Sequence, residues 1–223
     1  MYLYTNQPGS YHTSWGFREY NHAKQRLTSC YAKGMSSFDV AVSIALGVGL
    51  AAATGFRVFL PLLVASVAAY TGHLQLNDSF AWLGSLPAVT MLCVAALVEV
   101  FAYYIPAVDN VLDTITTPAA LIAGTLVAAA TITNLPPAVK WATAIIAGGG
   151  VAGVTQAMTA LLRAKSTVMT AGLGNPVLST LELGGALLIA LLALSAPFVA
   201  IGLIVAFCWL AVRLARKALS RAP

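Results

Sequence analysis

The sequence predicts an all-α protein, a polytopic transmembrane helical bundle of about six spans with broken helices. Its composition is the first reason. Of 223 residues, 59% are hydrophobic and only 9% are charged, whereas soluble domains carry about 25% charged residues. A soluble fold of this size needs charge to cover its surface. Twelve basic and seven acidic residues are too few for that task.

The distribution of charge is the second reason. Six stretches without Asp, Glu, Lys or Arg approach or exceed the length of about 20 residues that a helix needs to cross the hydrocarbon core. These stretches are residues 40–56, 58–77, 79–98, 114–139, 141–162 and 183–212. Buried strands or short core helices would show shorter runs bounded by polar turns. Long apolar helices are therefore the predicted elements.

The first predicted span covers residues 38–71, which is too long for one straight crossing at 1.5 Å per residue. Gly55 and Pro61 predict a break inside it. An amphipathic segment at residues 107–116 precedes the third span. The other predicted spans are residues 87–105, 117–133, 140–162, 177–194 and 197–216.

Residues 1–34 differ from the rest, being polar and aromatic without the apolar region of a signal peptide. Met35 precedes the first apolar helix and would be a natural translation start. We interpret residues 1–34 as an N-terminal extension, disordered or an upstream mis-start, and residues 35–223 as the transmembrane domain. The alternative is a cytoplasmic segment with its own role.

Basic residues concentrate at the two ends of the chain, in residues 1–33 and 213–221. With six spans, these residues, Arg163 and Lys165 would all lie on the cytoplasmic side, as the positive-inside pattern requires. Only Lys140 would lie on the outer side. The net charge of +5 therefore indicates a membrane surface rather than nucleic acid. The prediction is an inner-membrane protein with both termini cytoplasmic and the lipid bilayer as its partner.

An offset of 101 residues pairs Gly47 with Gly148 and Thr54 with Thr155. A three-plus-three inverted repeat, common in secondary transporters, is one interpretation. Chance matching in Gly- and Ala-rich sequence is the other. The glycines themselves suit close helix packing better than a phosphate loop, since no Lys-Ser/Thr follows at the right spacing.

Polar residues inside or beside membrane spans are costly and are candidates for function. The candidates for binding a substrate or ion are Arg57, Glu99, Asp109, Asp113, Arg163, Lys165, Asn175 and Glu182. Glu99 and Glu182 could handle protons or cations. Structural pairing with Arg57 or Arg163 is the alternative.

Asp109 and Asp113 are four residues apart, so both lie on one face of the segment after Pro106. Two carboxylates are too few oxygen ligands for a metal site, and an interfacial amphipathic turn is the favoured interpretation. No metal and no cofactor is predicted. The three histidines lie outside the spans, the three cysteines form no CxxC pair, and no Ser-His-Asp, HExxH or GxSxG arrangement occurs. No catalytic residue, and no enzyme, is predicted.

Gly172 and Gly174 predict a helix break, after which Asn175 would cap a new helix with Pro176 at its first position. The N–H groups of a helix start attract anions. A small ion or an anionic solute is thus a candidate partner. An ordinary cytoplasmic loop is the alternative.

Several motifs occur in the order known from one family. They are Gly49–Pro61 around Arg57, Glu99–Pro106, Asp109–Asp113, Gly148–Gly150 and Ser166–Glu182. In these the chain resembles the DUF4126 family of bacterial membrane proteins over roughly residues 38–213. The resemblance implies a membrane protein and leaves residues 1–34 outside, but it implies no substrate.

The leading functional hypothesis is a small transporter or channel in which Arg57, Glu99, Arg163 and Glu182 form a buried centre. A non-transporting scaffold or lipid-organising protein, with structural ion pairs, is the alternative. A membrane enzyme ranks third, because no nucleophile accompanies the carboxylates.

Overall fold

The computed structural model describes residues 37–133, 135–170 and 172–219. The predicted extension at residues 1–34 and its boundary at Met35 lie outside this part of the chain. The side chains of residues 106, 107, 109, 110, 211 and 214–219 are likewise outside the description. All regular elements in the described residues are helices.

Seven helices of at least twelve residues make up the described fold. They are α1 (Ser37–Thr54), α2 (Phe59–Tyr70), α3 (Leu86–Ala102), α4 (Pro106–Thr131), α5 (Pro137–Thr170), α6 (Asn175–Ser195) and α7 (Pro197–Leu219). A short 3₁₀ helix (Asp78–Gly84) precedes α3 at an angle of 67°. Four of the helices in the described residues, or five if that bent pair is one span, are long and apolar enough to cross a membrane.

Helix α1 is the centre of the bundle. Residues 50–54 are completely buried, because their small side chains let the neighbouring backbones come close. A Cβ on Gly47 would lie 3.2 Å from the Cα of Ala128 in α4, and one on Gly49 would lie 2.8 Å from the Cβ of Ala193 in α6. Small residues at these positions allow helices to pack in contact.

The first predicted span is a hairpin rather than one bent crossing. Going along α1, Gly47 lies beside Thr131 and Thr54 lies beside Gly124, so α1 runs antiparallel to α4. After the break, Val58 packs against Ala120. Past the end of α2, the N–H of Asn77 donates to the carbonyl of Ala130. Helix α2 therefore returns toward the end from which α1 came.

The hairpin tip, residues 55–58, lies between these two helices, as the sequence predicted from Gly55. A Cβ on Gly55 would lie 2.5 Å from the carbonyl oxygen of Ala152. Only glycine fits this approach to α5 without displacement. The hairpin tip therefore packs directly against the backbone of α5.

Helix α4 corrects a second prediction. Residues 106–131 form one helix of 26 residues, whereas the sequence indicated an amphipathic turn at 107–116 followed by a separate span. Pro118 lies inside this helix without ending it. Proline removes one hydrogen-bond donor, but Pro118 lies on the exposed side of the helix, and the neighbouring Thr116 and Ala120 are buried against the rest of the bundle.

Helix α5 runs antiparallel to α4, with Gly148 beside Ala128 and Gly153 beside Leu121. Its π-helical stretch Ala144–Gly149 lies at this close contact. Because α1 also runs antiparallel to α4, α1 and α5 point the same way. The 101-residue offset pairs these two helices, and an inverted repeat would require opposite directions. The match of Gly47 with Gly148 reflects two similar contacts with Ala128 of α4.

The bundle has two ends. End A holds residues 71–85, 132–133, 135–136 and 196, and end B holds residues 103–105 and 172–174. The ring of Phe38, early in α1, lies 6.1 Å from that of Phe198 at the start of α7, and Phe207 lies 5.2 Å from Phe56. Helix α7 therefore runs from A to B beside α1. The start of α1 and the end of α7 lie at opposite ends, whereas six crossings would place them at the same end.

Candidate functional site

The hairpin tip carries Arg57 into the bundle, where its side chain is 1% exposed. Its Nη2 donates to the carbonyl oxygen of Ser179 in the first turns of α6, at 3.0 Å. The two helix breaks that the sequence predicted, at Gly55 and at residues 172–174, are joined by this bond. Arg57 Nε and Nη1 are buried and have no hydrogen-bond acceptor among the residues that the structure describes.

Glu99 holds the hairpin tip from the last turn of α3. Its Oε1 accepts the N–H of Val58 at 2.6 Å, and its Oε2 accepts the N–H of Phe59 at 3.0 Å. These N–H groups belong to the start of α2, which has no capping side chain of its own. A carboxylate is a favourable partner for a helix start because it meets both the N–H groups and the positive end of the dipole. Glu99 is thus committed to backbone contacts.

Tyr103 follows α3 and is sandwiched between two arginines. The Cζ atoms of Arg57 and Arg163 lie 3.9 Å and 4.0 Å from its ring centroid. Each guanidinium is attracted to the electron-rich face of the ring, and this cation–π attraction is stronger away from water. The ring therefore keeps two like charges apart while stabilising both.

Arg163, late in α5, is paired with two carboxylates. Its Nε and Nη2 donate to the two oxygens of Glu182 in α6. Its Nη1 donates to Oδ1 of Asp113 in α4, at 3.1 Å. Arg163 and Glu182 are 3% and 4% exposed. The planar fork of arginine suits such bidentate pairing, so three helices are tied together at one guanidinium.

We call the set of Arg57, Glu99, Tyr103, Asp113, Arg163 and Glu182 the charged centre. Neutral polar groups extend it. The Tyr103 hydroxyl lies 3.0 Å from Thr116 Oγ1, which also accepts from Nε2 of Gln156. The centre lies toward end B, about two helical turns from the start of both α4 and α6.

The other predicted site residues are placed differently. Lys165 is exposed. The side chain of Asp109 lies outside the described residues. Asn175 is buried, and its Nδ2 donates to Thr167 Oγ1 at 3.0 Å. It does not cap α6: Gly174 occupies the cap position, no side chain caps the helix, and Pro176 is the second helical residue. The predicted helix start is therefore shifted by one residue.

An apolar groove of about 380 Å³ leads to the charged centre from the side of the bundle. It opens between α5, α6 and α7, and Glu182 and Thr159 are the two polar side chains that line it. Leu181 and Leu188, on its rim, are exposed. The groove connects the apolar outer surface with one member of the Arg163–Glu182 pair.

Tyr103, Ser179, Thr116 and Gln156 were not among the predicted site residues. Tyr103 and Ser179 had a signal, because they lie four residues after Glu99 and three before Glu182, on the same helical faces. Thr116 and Gln156 are neutral residues inside apolar stretches, so the sequence carried no signal for them. Within the described part of the chain, no three His, Cys, Asp or Glu residues come together as metal ligands.

The fold and the site define a class: a helical bundle with several helices of membrane-spanning length and apolarity, built around a buried charged centre. The match to known families is specific. Residues 44–217 match the family described as "Domain of unknown function (DUF4126)". The chain belongs to the DUF4126 family, as the motifs around Arg57, Glu99 and Glu182 indicated.

Neither the curated proteins nor the solved structures contain a match to this chain.

Proposed function

We propose that the protein is a small transporter or channel of the bacterial inner membrane, and that the charged centre is its solute site. The observation that carries the proposal is the bond between Arg57 Nη2 and the carbonyl of Ser179, at 3.0 Å. It brings a hairpin tip and the start of a second broken segment to one buried polar point. In membrane proteins, irregular backbone at depth is tolerated where it lines a site or is buried in protein, and broken helices of this kind form the solute sites of many transporters.

The proposed topology follows from the hairpin. Helices α1 and α2 would enter and leave from the side of end A, and α3–α7 would cross the bilayer. End B carries Lys165 and Arg213, which favours a cytoplasmic end B, whereas Lys140 near end A and the four basic residues of positions 1–33, which precede α1, favour a cytoplasmic end A. The hairpin topology replaces the earlier expectation of six crossings with both termini on one side.

A second candidate is a non-transporting membrane scaffold. The pairing of Arg163 with both Asp113 and Glu182 favours it, because these carboxylates already compensate the buried positive charge without a solute. Both candidates describe a non-enzymatic protein. They differ in whether the centre exchanges solute with water.

The test is flux through the full-length protein reconstituted in liposomes, with a panel of inorganic ions and small organic acids and amines. We expect at least one solute to cross faster than in empty liposomes. Glu182→Gln should reduce that flux at least tenfold without changing the elution profile of the purified protein. Asp78→Asn, which changes an exposed carboxylate near end A, is the matched control and should leave the flux unchanged.

Wild-type flux equal to that of empty liposomes across the whole panel would reject transport in favour of the scaffold. Equal flux in the wild type and the Glu182→Gln variant would reject the charged centre as the site.

A further inference from the structure

The hydrogen bonds of the charged centre are unevenly distributed between its two arginines. Arg163 directs Nε, Nη1 and Nη2 to carboxylate oxygens. Arg57 directs only Nη2 to an acceptor, the neutral carbonyl of Ser179. Its Nε and Nη1 are buried and have no acceptor among the described residues.

Buried polar groups in proteins nearly always have a partner, and a buried guanidinium without one is costly. The carboxylates near Arg57 are already engaged. Glu99 accepts two backbone N–H groups of the hairpin tip, while Glu182 and Asp113 accept from Arg163. Arg57 is therefore a buried cation with two donor nitrogens that meet no acceptor in the part of the chain that the structure describes.

The position of Arg57 is fixed on three sides. The ring of Tyr103 covers one face of the guanidinium at 3.9 Å, Ser179 holds one nitrogen, and Glu99 fixes the backbone that follows Arg57. A preorganised guanidinium binds an anion without first losing side-chain freedom. Its planar donors match the oxygens of phosphates and carboxylates.

We propose that Arg57 binds a small oxyanion, a phosphate or a carboxylate, through Nε and Nη1. This deepens the proposed function by naming the solute class of the charged centre and rests on that site, but it is measured by binding rather than by flux.

The formal charge of the charged centre also affects how tightly an oxyanion can bind. Two arginines face three carboxylates, so the described members carry a formal charge of −1 when all are ionised. An oxyanion at Arg57 adds negative charge to this set. Removing the charge of Asp113, which is bonded to Arg163 rather than to Arg57, should therefore strengthen oxyanion binding.

The test measures saturable binding of radiolabelled inorganic phosphate and of acetate to the full-length protein in neutral detergent, at constant ionic strength set with chloride. At least one of the two anions should bind. Arg57→Gln should weaken binding at least about tenfold, as expected for loss of a charge-assisted contact. Asp113→Asn should tighten it by about threefold or more. Arg213→Gln, which removes an exposed arginine stacked on Trp209, should bind as the wild type does.

Adding phosphatidic acid to the detergent distinguishes two sources of the oxyanion. Competition with the bound probe would identify a lipid headgroup as the ligand, and its absence would identify a free anion. If neither phosphate nor acetate binds saturably to the wild type, or if Arg57→Gln binds as well as Arg213→Gln, the proposal is wrong. If Arg57→Gln does not fold, weaker or unchanged binding in Asp113→Asn overturns it instead.

Flux and binding separate the two proposals. Oxyanion binding without flux of any solute would retain the anion site and reject the transporter. Flux of cations or amines without oxyanion binding would retain the transporter and reject the anion site.

Discussion

The side chain of Glu99 binds the backbone N–H of Val58, which lies 41 residues earlier in the chain, at 2.6 Å. One carboxylate from the end of α3 thereby replaces the cap that α2 lacks. Val58, the cap residue of α2, is buried at the hairpin tip, where water cannot take over that role for its N–H. The break in the first apolar segment is stable because a residue outside the segment completes it.

Replacing Glu99 by Ala should destabilise the protein more than replacing it by Gln. Alanine leaves the N–H groups of Val58 and Phe59 without their side-chain acceptor, and the buried one, that of Val58, costs about 1–3 kcal/mol. Glutamine keeps one acceptor oxygen. The measurement is the free energy of unfolding in mixed micelles, with Asp78→Asn as a control expected to match the wild type. Equal losses for the two Glu99 variants would contradict the capping role.

Replacing Arg163 and replacing Glu182 should lower the stability of the protein by different amounts. Glu182→Gln leaves Arg163 paired with Asp113. Arg163→Gln leaves both Asp113 and Glu182 in the centre without their shared cation, and removal of one partner from a buried pair typically costs about 3–5 kcal/mol. We expect Arg163→Gln to lower the unfolding free energy by more than Glu182→Gln does. The double variant Arg163→Gln/Asp113→Asn tests the cause. If it is more stable than Arg163→Gln alone, repulsion between the two carboxylates caused the loss.

The close approach at the hairpin tip predicts a sensitive glycine. In Gly55→Ala the added Cβ would lie 2.5 Å from the carbonyl oxygen of Ala152 and 2.5 Å from Thr155 Cβ. Backbone or side chains must shift, at a typical cost of about 1–3 kcal/mol. Gly150→Ala is the matched control, since a Cβ there meets nothing within 4 Å. It should be neutral or stabilising, because alanine favours helix by about 1 kcal/mol. Thermal unfolding of the two variants side by side gives the comparison.

The hairpin also predicts where single cysteines can be labelled. In a variant with Cys30, Cys93 and Cys208 replaced by serine, Ser37→Cys and His73→Cys should react with an impermeant thiol reagent from the same side of sealed vesicles. Lys165→Cys should react from the other side. All three positions are exposed. Labelling of positions 37 and 73 from opposite sides would show that residues 38–71 cross the bilayer once.

The sequence was sufficient for the all-helical class of fold and for the breaks at Gly55 and at residues 172–174, because apolar run length and Gly/Pro placement are local properties, but the boundary predicted near residue 116 was wrong. The direction of α2 was not predictable. Gly55 permits a break, but whether the chain turns back depends on contacts such as Glu99 with Val58 and Gly55 with Ala152, both with distant residues.

The charged residues of the site were predictable for a different reason, since an ionisable group in an apolar stretch is conspicuous in the sequence. Their arrangement was not. Asp113 looked like part of an interfacial turn, because it shares one face of the short segment after Pro106 with Asp109. In the continuous helix α4 it faces Arg163 instead. Tyr103, which lies between the two arginines, is an aromatic residue at a helix end, and such residues are common at membrane interfaces without any role in a site.

The central position of α1 has a consequence for biosynthesis. It is the first described helix to leave the ribosome, yet its buried face packs against Ala128 and Ala193, which are made later. Native contacts this distant in sequence form only when the later helices exist. During translation, the hairpin is therefore made before its partners, and Arg57 is synthesised ahead of Tyr103, Ser179 and the carboxylates that surround it in the finished protein. The packing of α1 is therefore complete only after the later helices have been synthesised.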